Sequence, residues 1–297
     1  MRAAAILGLG SSTKALQPFQ EAVSTEWLIG LPEHHGDADV ILIFGGDGTI
    51  HRHLAQLLRL QRPVLVVPCG SGNDFARALN LGRIKDSLLA WRRFADGDGN
   101  VRSIDLGVIT PINAGRGTAP TGPHYFCCIA GVGLDTEVAR RANRLPRWIR
   151  GHGGYALSLL PAWLRFTPAI TTIEVTNDGQ PGRYPTRSHR PLLLAAFANA
   201  PSYGGGMRIA PRAQLDDGKL DVCLVSQLPL LKLARLFPRV FFGKHLEVPE
   251  VEYFQAEQLH VASESPIEVY ADGEYVCRTP AKIGIAPGAL QVVCGGP

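Results

Sequence analysis

Cysteine, charge and long apolar runs are all scarce in this chain. Its 297 residues include six cysteines, at 69, 127, 128, 223, 277 and 294, with no C-x-x-C spacing. That spacing excludes the common zinc-ribbon and dithiol redox patterns. Cys127 and Cys128 are neighbours inside an apolar run, so reduced core thiols and a cytoplasmic setting are expected. Charged residues make up 19% of the chain and its formal net charge is +4. That balance suits an anionic surface or a phosphate-bearing substrate but is too weak to argue for nucleic acid. No apolar stretch approaches the roughly 18 residues of a membrane-spanning helix. The opening MRAAAILGLGSS has a short apolar run ending in a Gly-Ser loop, which reads as a first strand rather than a leader. Histidine pairs give no metal signature. His34 and His35 are adjacent, and His51 and His53 lie two apart on an expected helix, so each pair points in different directions. There is no internal repeat or low-complexity tract.

Hydrophobic residues are 45% of the chain, alongside 33 glycines and 22 prolines. This is enough for a sizeable core crossed by many turns. The most informative stretch is ILIFGGDGT, Ile41 to Thr49. An apolar strand runs into Gly45, Gly46, Asp47 and Gly48, and the spacing of Ile50, Leu54, Leu57 and Leu58 predicts a helix with Thr49 as its N-cap. Glycines at such a turn leave backbone N–H groups bare, so phosphate can approach; an ordinary tight turn is the competing reading. A second unit of the same kind follows about 20 residues later. The strand Pro63 to Val67 runs into PCGSGNDFAR, Pro68 to Arg77, with Gly70, Ser71, Gly72, Asn73 and Asp74 in the loop. Two such units in succession put both loops at the carboxyl ends of neighbouring parallel strands, where open α/β sheets bind ligands.

GGDGT followed by P-x-G-[TS]-x-N-D resembles the catalytic domain of the diacylglycerol kinase, sphingosine kinase and bacterial lipid kinase superfamily. The resemblance implies an open α/β nucleotide-binding domain over residues 1–105, with 286–297 returning to it, and a β-sandwich-like lipid domain over 106–285. It also implies ATP as phosphate donor, Mg²⁺, and Gly45, Gly46, Asp47, Gly48, Thr49, Gly70, Ser71, Gly72, Asn73 and Asp74 as the nucleotide site. The family's N-P-x-[SA]-G loop after strand one is replaced by GLGSSTK, Gly8 to Lys14. This loop either still holds phosphate or is a plain strand-to-helix turn.

Further along, Asp105 sits inside the apolar strand VRSIDLGVI, Val101 to Ile109, an expensive place for an acid unless it is paired or holds a cation. The resemblance assigns it to a magnesium network with Asp47 and Asp74. Beyond Thr110, short strands dominate: 124–130, 169–176, 191–198, 220–225, 267–271 and 290–293, with Asn177-Asp178-Gly179 as a hairpin turn. Gly131-Val132-Gly133-Leu134-Asp135 matches the family's G-x-G-x-D. Arginines from 140 to 165 are interleaved with Trp148, Tyr155 and Trp163, and residues 228–246 repeat the theme without an acid. Contact with an anionic membrane is one reading. Basic side chains covering the helix's own core is the other.

Two turns complete the expected site. In QLDDGKL, Gln214 to Leu220, the resemblance implies a magnesium held by the Gln214 carbonyl, the Asp217 side chain and the Lys219 carbonyl. An acidic turn that binds nothing fits the spacing equally well. In Asp272-Gly273-Glu274, a plain hairpin by composition, the resemblance makes Glu274 the general base, supported by Asp272. The expected function is phosphoryl transfer from ATP to a lipid hydroxyl, diacylglycerol-like or sphingoid, at the inner face of a membrane. The alternatives are an NAD kinase, which shares GGDGT but continues differently, and a non-catalytic nucleotide or lipid sensor. Nothing marks an oligomer interface.

Overall fold

The structure, a computed structural model, describes residues 1–9, 11–112, 122–142, 161–162, 166–176 and 185–296. The Asn177-Asp178-Gly179 turn, Arg144, Arg147, Arg150, Arg165, Trp148, Tyr155 and Trp163 lie outside the described residues. The chain divides into one compact unit of Met1–Asp105 with Pro287–Pro297 and a second of Leu106–Ala286.

The first unit is an open α/β layer. Its strands are β1 (Arg2–Leu7), β2 (Glu26–Ile29), β3 (Val40–Gly45) and β4 (Val64–Pro68), in the order β2-β1-β3-β4 and all parallel. Every residue of β3 and β4 is buried, which is why both read as unbroken apolar runs. The helices are α1 (Thr13–Ala22), α2 (Asp47–Leu60), α3 (Asp74–Ala78) and α4 (Ile84–Ala95). Trp91 of α4 is fully buried and its indole N–H donates to the Phe19 carbonyl of α1 at 3.0 Å, tying the two helices together. The tail of the last strand comes back beside β4, pairing Val292 with Val64. The adjacent histidines at 34 and 35 enter a short 3₁₀ turn, His35–Asp37.

The second unit is a β-sandwich. Its elements are β5 (Val101–Pro111, which enters from the first unit), β6 (His124–Phe126), β7 (Ile129–Gly133), α5 (Leu134–Ala142), β8 (Ile170–Thr176) and β9 (Thr186–Ala198). There follow β10 (Leu220–Ser226), α6 (Leu230–Phe241), β11 (Val251–Ala256), β12 (Gln258–Ser263), β13 (Glu268–Ala271), β14 (Glu274–Arg278) and β15 (Ala281–Val293, which leaves it). Strand β9 serves both layers. Its first half pairs with β8, and its second half lies between β7 and β10. Phe126, Ile173, Phe197, Val222, Leu259, Val269 and Ile283 meet in the shared core. The single strand expected over 124–130 is two strands, broken at Cys127 and Cys128. The break is made from a distance, by a carboxylate described below.

Candidate functional site

Strands β3 and β4 run in register to Gly45 opposite Pro68, so the two glycine loops leave the sheet side by side. Their backbones then touch. A Cβ on Gly70 would lie 2.4 Å from the Gly46 Cα, and one on Gly46 would lie 2.8 Å from the Gly70 Cα. Neither contact admits a side chain. Gly45 is excluded from substitution by Thr49, whose Oγ1 would be 2.6 Å from an added Cβ, and Gly8 by the same atom at 2.5 Å. Gly72 is bounded by Asp47, with Oδ2 at 2.9 Å. Gly48 differs, because a Cβ there would meet nothing within 4 Å. Thr49 is not the N-cap. Helix α2 already starts at Asp47 with Gly46 as its cap, and the Thr49 side chain sits over Gly8 and Gly45 instead. An acid at the first helical position and a glycine before it start a helix as well as a threonine does.

Asp47 fastens one loop to the other. Its Oδ2 accepts the Asp74 N–H at 3.1 Å and its Oδ1 the Phe75 N–H at 3.0 Å. These are the orphan donors that open α3. The residue in the N-cap position, Asn73, makes no cap bond because its side chain is turned onto Gly70. There Oδ1 accepts the Gly70 N–H at 2.9 Å and Nδ2 donates to the Gly70 carbonyl at 2.8 Å. Its φ of +56° is a left-handed conformation that asparagine tolerates better than most residues. Asp74, 3% exposed, pairs with Arg77 at 2.6 Å, and Arg77 also donates to the Gly72 carbonyl at 2.6 Å. The sequence motif alone gives Arg77 no role; its three-residue spacing from Asp74 on a helix is the signal for this pair. Ser71 is exposed in the same loop. In the altered first loop the Gly8 N–H donates to the Phe44 carbonyl at 2.8 Å, and the Ser11 hydroxyl donates to the Gly8 and Phe44 carbonyls. Lys14 is exposed on α1.

Asp105, also 3% exposed, accepts the Gly288 N–H at 2.8 Å, which anchors the returning strand. Asp47 and Asp74 converge on Gly72. Among the described residues, no three His, Cys, Asp or Glu side chains are grouped as a metal cage.

In the second unit, Asp272 and Gly273 turn the hairpin between β13 and β14, with φ of +49° and +85°. Positive φ at both central positions is what the tight primed turn requires. The Asp272 carboxylate accepts three amides, from Cys127 at 2.8 Å, Cys128 at 2.9 Å and Ile129 at 3.2 Å. Those bonds take the amides between β6 and β7 that a continuous strand would give to a neighbouring strand, hence the break. Asp272 therefore positions the turn, and Glu274 stands exposed at its end.

The acidic turn keeps Gly218 at φ +72°. Asp217 accepts the Lys219 N–H at 3.1 Å and the Gln255 amide at 3.1 Å, and the same Gln255 reaches Asp221 at 3.3 Å. Tyr253 donates to Asp221 at 2.7 Å. Burial, reinforced by the neighbouring Asp217 charge, holds the Asp221 pKa above the usual carboxylate range despite those two donors. Gln214 is exposed.

Comparison with known proteins agrees with this architecture. Residues 15–109 match the diacylglycerol kinase catalytic domain, and residues 128–294 match the YegS C-terminal NAD kinase beta sandwich-like domain. The chain is 36% identical over 256 residues to a diacylglycerol kinase of Mycobacterium tuberculosis, covering 86% of this chain and 76% of that protein. It is 30% identical over 239 residues to a diacylglycerol kinase of Bacillus subtilis, covering 80% and 71%. In fold it is similar to the crystal structure of a diacylglycerol kinase from Bacillus anthracis, with a TM-score of 0.66, 18% identity and coverage of 99% and 97%. An NAD kinase from Archaeoglobus fulgidus in complex with ATP shares the fold more distantly, with a TM-score of 0.56, 14% identity and coverage of 99% and 94%. With both family matches in chain order and a relative at 36% identity over most of its length, the chain belongs to the diacylglycerol kinase family and is a lipid kinase.

Proposed function

We propose that the protein transfers the γ-phosphate of ATP to the free hydroxyl of a diacylglycerol-like lipid. The observation that carries the nucleotide half is Gly48. Five other glycines around the loops are required by close contacts, whereas Gly48 faces open space at the start of α2. Helix N-terminal amides bare of side chains favour phosphate. Residues 1–105 with 286–297 serve the nucleotide and 106–285 the lipid. Gly45, Gly46, Gly48, Thr49, Gly70, Ser71, Gly72 and Asn73 shape the phosphate and ribose site. Asn73 does so through the backbone, since its amide is engaged by Gly70.

Glu274, exposed on a tight and triply anchored turn, takes the proton from the lipid hydroxyl as it attacks. Phosphoryl transfer asks the protein mainly for positioning and charge stabilisation. Mg²⁺ would neutralise the charge of the transferring phosphate, held by Asp47 and Asp74 with Asp105 as the third acid. All three offer the oxygen donors that ion takes, although Asp47 also holds the Asp74 and Phe75 amides, Asp74 the Arg77 guanidinium and Asp105 the Gly288 amide. The acidic turn would hold a second one, its oxygen donors gathered where Gly218 turns the chain. There the Gln214 and Lys219 carbonyls and the Asp217 carboxylate would be the ligands. Among the described residues no helix is long and apolar enough to cross a membrane. In this reading the lipid is met at the inner face of the membrane.

The test is transfer of γ-labelled phosphate into mixed micelles of diacylglycerol, sphingosine, ceramide or phosphatidylglycerol, with NAD as a separate acceptor. Label in diacylglycerol is expected. Glu274→Gln should lose at least about 100-fold in turnover while still binding ATP. Label in NAD, label in no acceptor, or full activity of Glu274→Gln would overturn the reading.

A further inference from the structure

Glu274 stands exposed, so its direction is set by the turn that carries it. That turn depends on Asp272, whose φ of +49° is a left-handed conformation that a non-glycine residue keeps only where its surroundings hold it. Two of the amides that hold Asp272 belong to peptide groups gripped from behind as well. In the Cys127–Cys128 peptide, the N–H donates to Asp272 Oδ1 at 2.9 Å while the carbonyl accepts the Asn199 Nδ2–H at 3.0 Å. In the Cys128–Ile129 peptide, the N–H donates to the same Oδ1 at 3.2 Å. Its carbonyl accepts the backbone N–H groups of Asn199 at 2.8 Å and Ala200 at 3.1 Å. Both peptides are thus clamped between Asp272 on one side and the fully buried Asn199 on the other. A peptide whose carbonyl accepts a bond is a stronger donor at its N–H, because bonds in a chain polarise one another. The sheet ladder does not supply the whole clamp. Strands β7 and β9 pair from Ile129 opposite Ala198. The main chain carries the bonding on to Cys128, and it is the Asn199 side chain that reaches the Cys127 carbonyl.

We infer that Asn199 is a positioning residue for the transfer: it fixes the two peptides that fix Asp272, and through Asp272 it sets the direction of the Glu274 carboxylate. The inference rests on the reading of Glu274 as the base. The path is short. Glu274 opens β14 opposite Ala271, with only Asp272 and Gly273 between them, so a rotation of Asp272 turns Glu274 with it. Without the Asn199 side chain, the buried Cys127 carbonyl loses that donor and its peptide can tilt away from the Asp272 carboxylate. Misplacing a reacting group by about 1 Å costs up to about 100-fold in rate. Every residue of the path lies in the second unit, so ATP binding, assigned to the first, should not change.

Asn199→Ala removes the bond to the Cys127 carbonyl, and Asn199→Ser keeps a donor on a shorter arm. In transfer of γ-labelled phosphate to diacylglycerol micelles by the full chain, kcat should fall by about tenfold to 100-fold for the first and by less for the second. KM for ATP should be unchanged in both. Phe197→Leu is the control, since it loosens the same strand opposite Ala130 without touching either peptide. It should lower Tm yet keep kcat within about twofold at a temperature where every variant is folded. In a Glu274→Gln background, whose residual rate the label can follow, no base remains to be aimed. There Asn199→Ala should cost no more than about twofold further. If Asn199→Ala does not fold, Asn199→Ser carries the same cycle. A loss of kcat that Phe197→Leu reproduces, or one that multiplies in full on top of Glu274→Gln, would overturn the positioning role and leave Asn199 a stitch in its strand. Full activity of Glu274→Gln would instead overturn the base assignment itself, whatever the Asn199 variants do.

Discussion

Adding one methyl group at Gly70 and at Gly48 should have opposite effects. At Gly70 the new Cβ would lie 2.4 Å from the Gly46 Cα, 2.9 Å from the Gly46 nitrogen and 2.9 Å from the Asn73 Oδ1. Two of those neighbours are backbone and cannot rotate away. The loops must part, and the Asp47 bonds to the Asp74 and Phe75 amides part with them. Overpacking of this kind costs about 2–3 kcal/mol, which lowers Tm by on the order of 5–10 °C for a unit of this size. At Gly48 the methyl enters open space on a helix, where alanine is favoured over glycine by about 0.5–1 kcal/mol. Gly48→Ala should therefore melt at or above the wild-type temperature, yet bind ATP at least about tenfold more weakly, because the methyl occupies the face assigned to phosphate. Thermal melts with and without ATP, beside transfer assays, read both effects. Gly70→Ala melting like the wild type would refute the loop-on-loop contact, and Gly48→Ala with normal ATP affinity would refute the phosphate face.

Two further predictions concern the second unit. Asp272→Asn leaves one acceptor oxygen and turns an N–H₂ toward the Cys127–Ile129 amides, so it should cost about 2–3 kcal/mol, whereas Glu274→Gln, on an exposed residue, should leave Tm unchanged. Equal melting of the two variants would remove the anchoring role of Asp272. The His245 pKa is lowered chiefly by burial, against a hydrogen bond to the Ile209 carbonyl that raises it. The unfolded chain therefore takes up this proton near pH 6.5 while the folded chain resists it. Stability should fall as pH drops below about 6.5, by at most about 1.4 kcal/mol per pH unit. The raised Asp221 pKa acts in the opposite direction, but nearer the ordinary carboxylate range. In urea titrations between pH 7 and 5, His245→Gln should flatten the slope; an unchanged slope would show that another group carries it.

The α/β half of the fold was legible because its signals are local. Strands β3 and β4 are wholly buried, and a strand covered on both faces announces itself as an apolar run whatever its neighbours are. The sandwich half was legible as a class and less so strand by strand. Strands β11, β12 and β14 are five or six residues long and mix polar with apolar residues, too short a run to stand out from loops. The break at Cys127 and Cys128 could not be read at all. Its cause is the carboxylate of Asp272, 145 residues from Cys127, and local propensity yields to such a bond because three buried amides are satisfied at once.

The glycine motif was legible as a motif but not in the roles of its members. Bare backbone before a phosphate is what the sequence suggests for Gly45, Gly46 and Gly48, yet packing alone accounts for Gly45, Gly46, Gly70 and Gly72. The same holds for its polar residues. Asn73 spends its amide on Gly70, and Asp47 spends both oxygens on the amides that open α3. These residues first build a rigid double turn, and any ligand is met by what that turn leaves bare. A chain that kept GGDGT while losing the second loop would keep the letters of the site without its shape, since Gly46 would have no Gly70 to lie against and Asp47 no amides to hold. The second loop is thus more than corroboration of the first; it is the surface on which the first is folded.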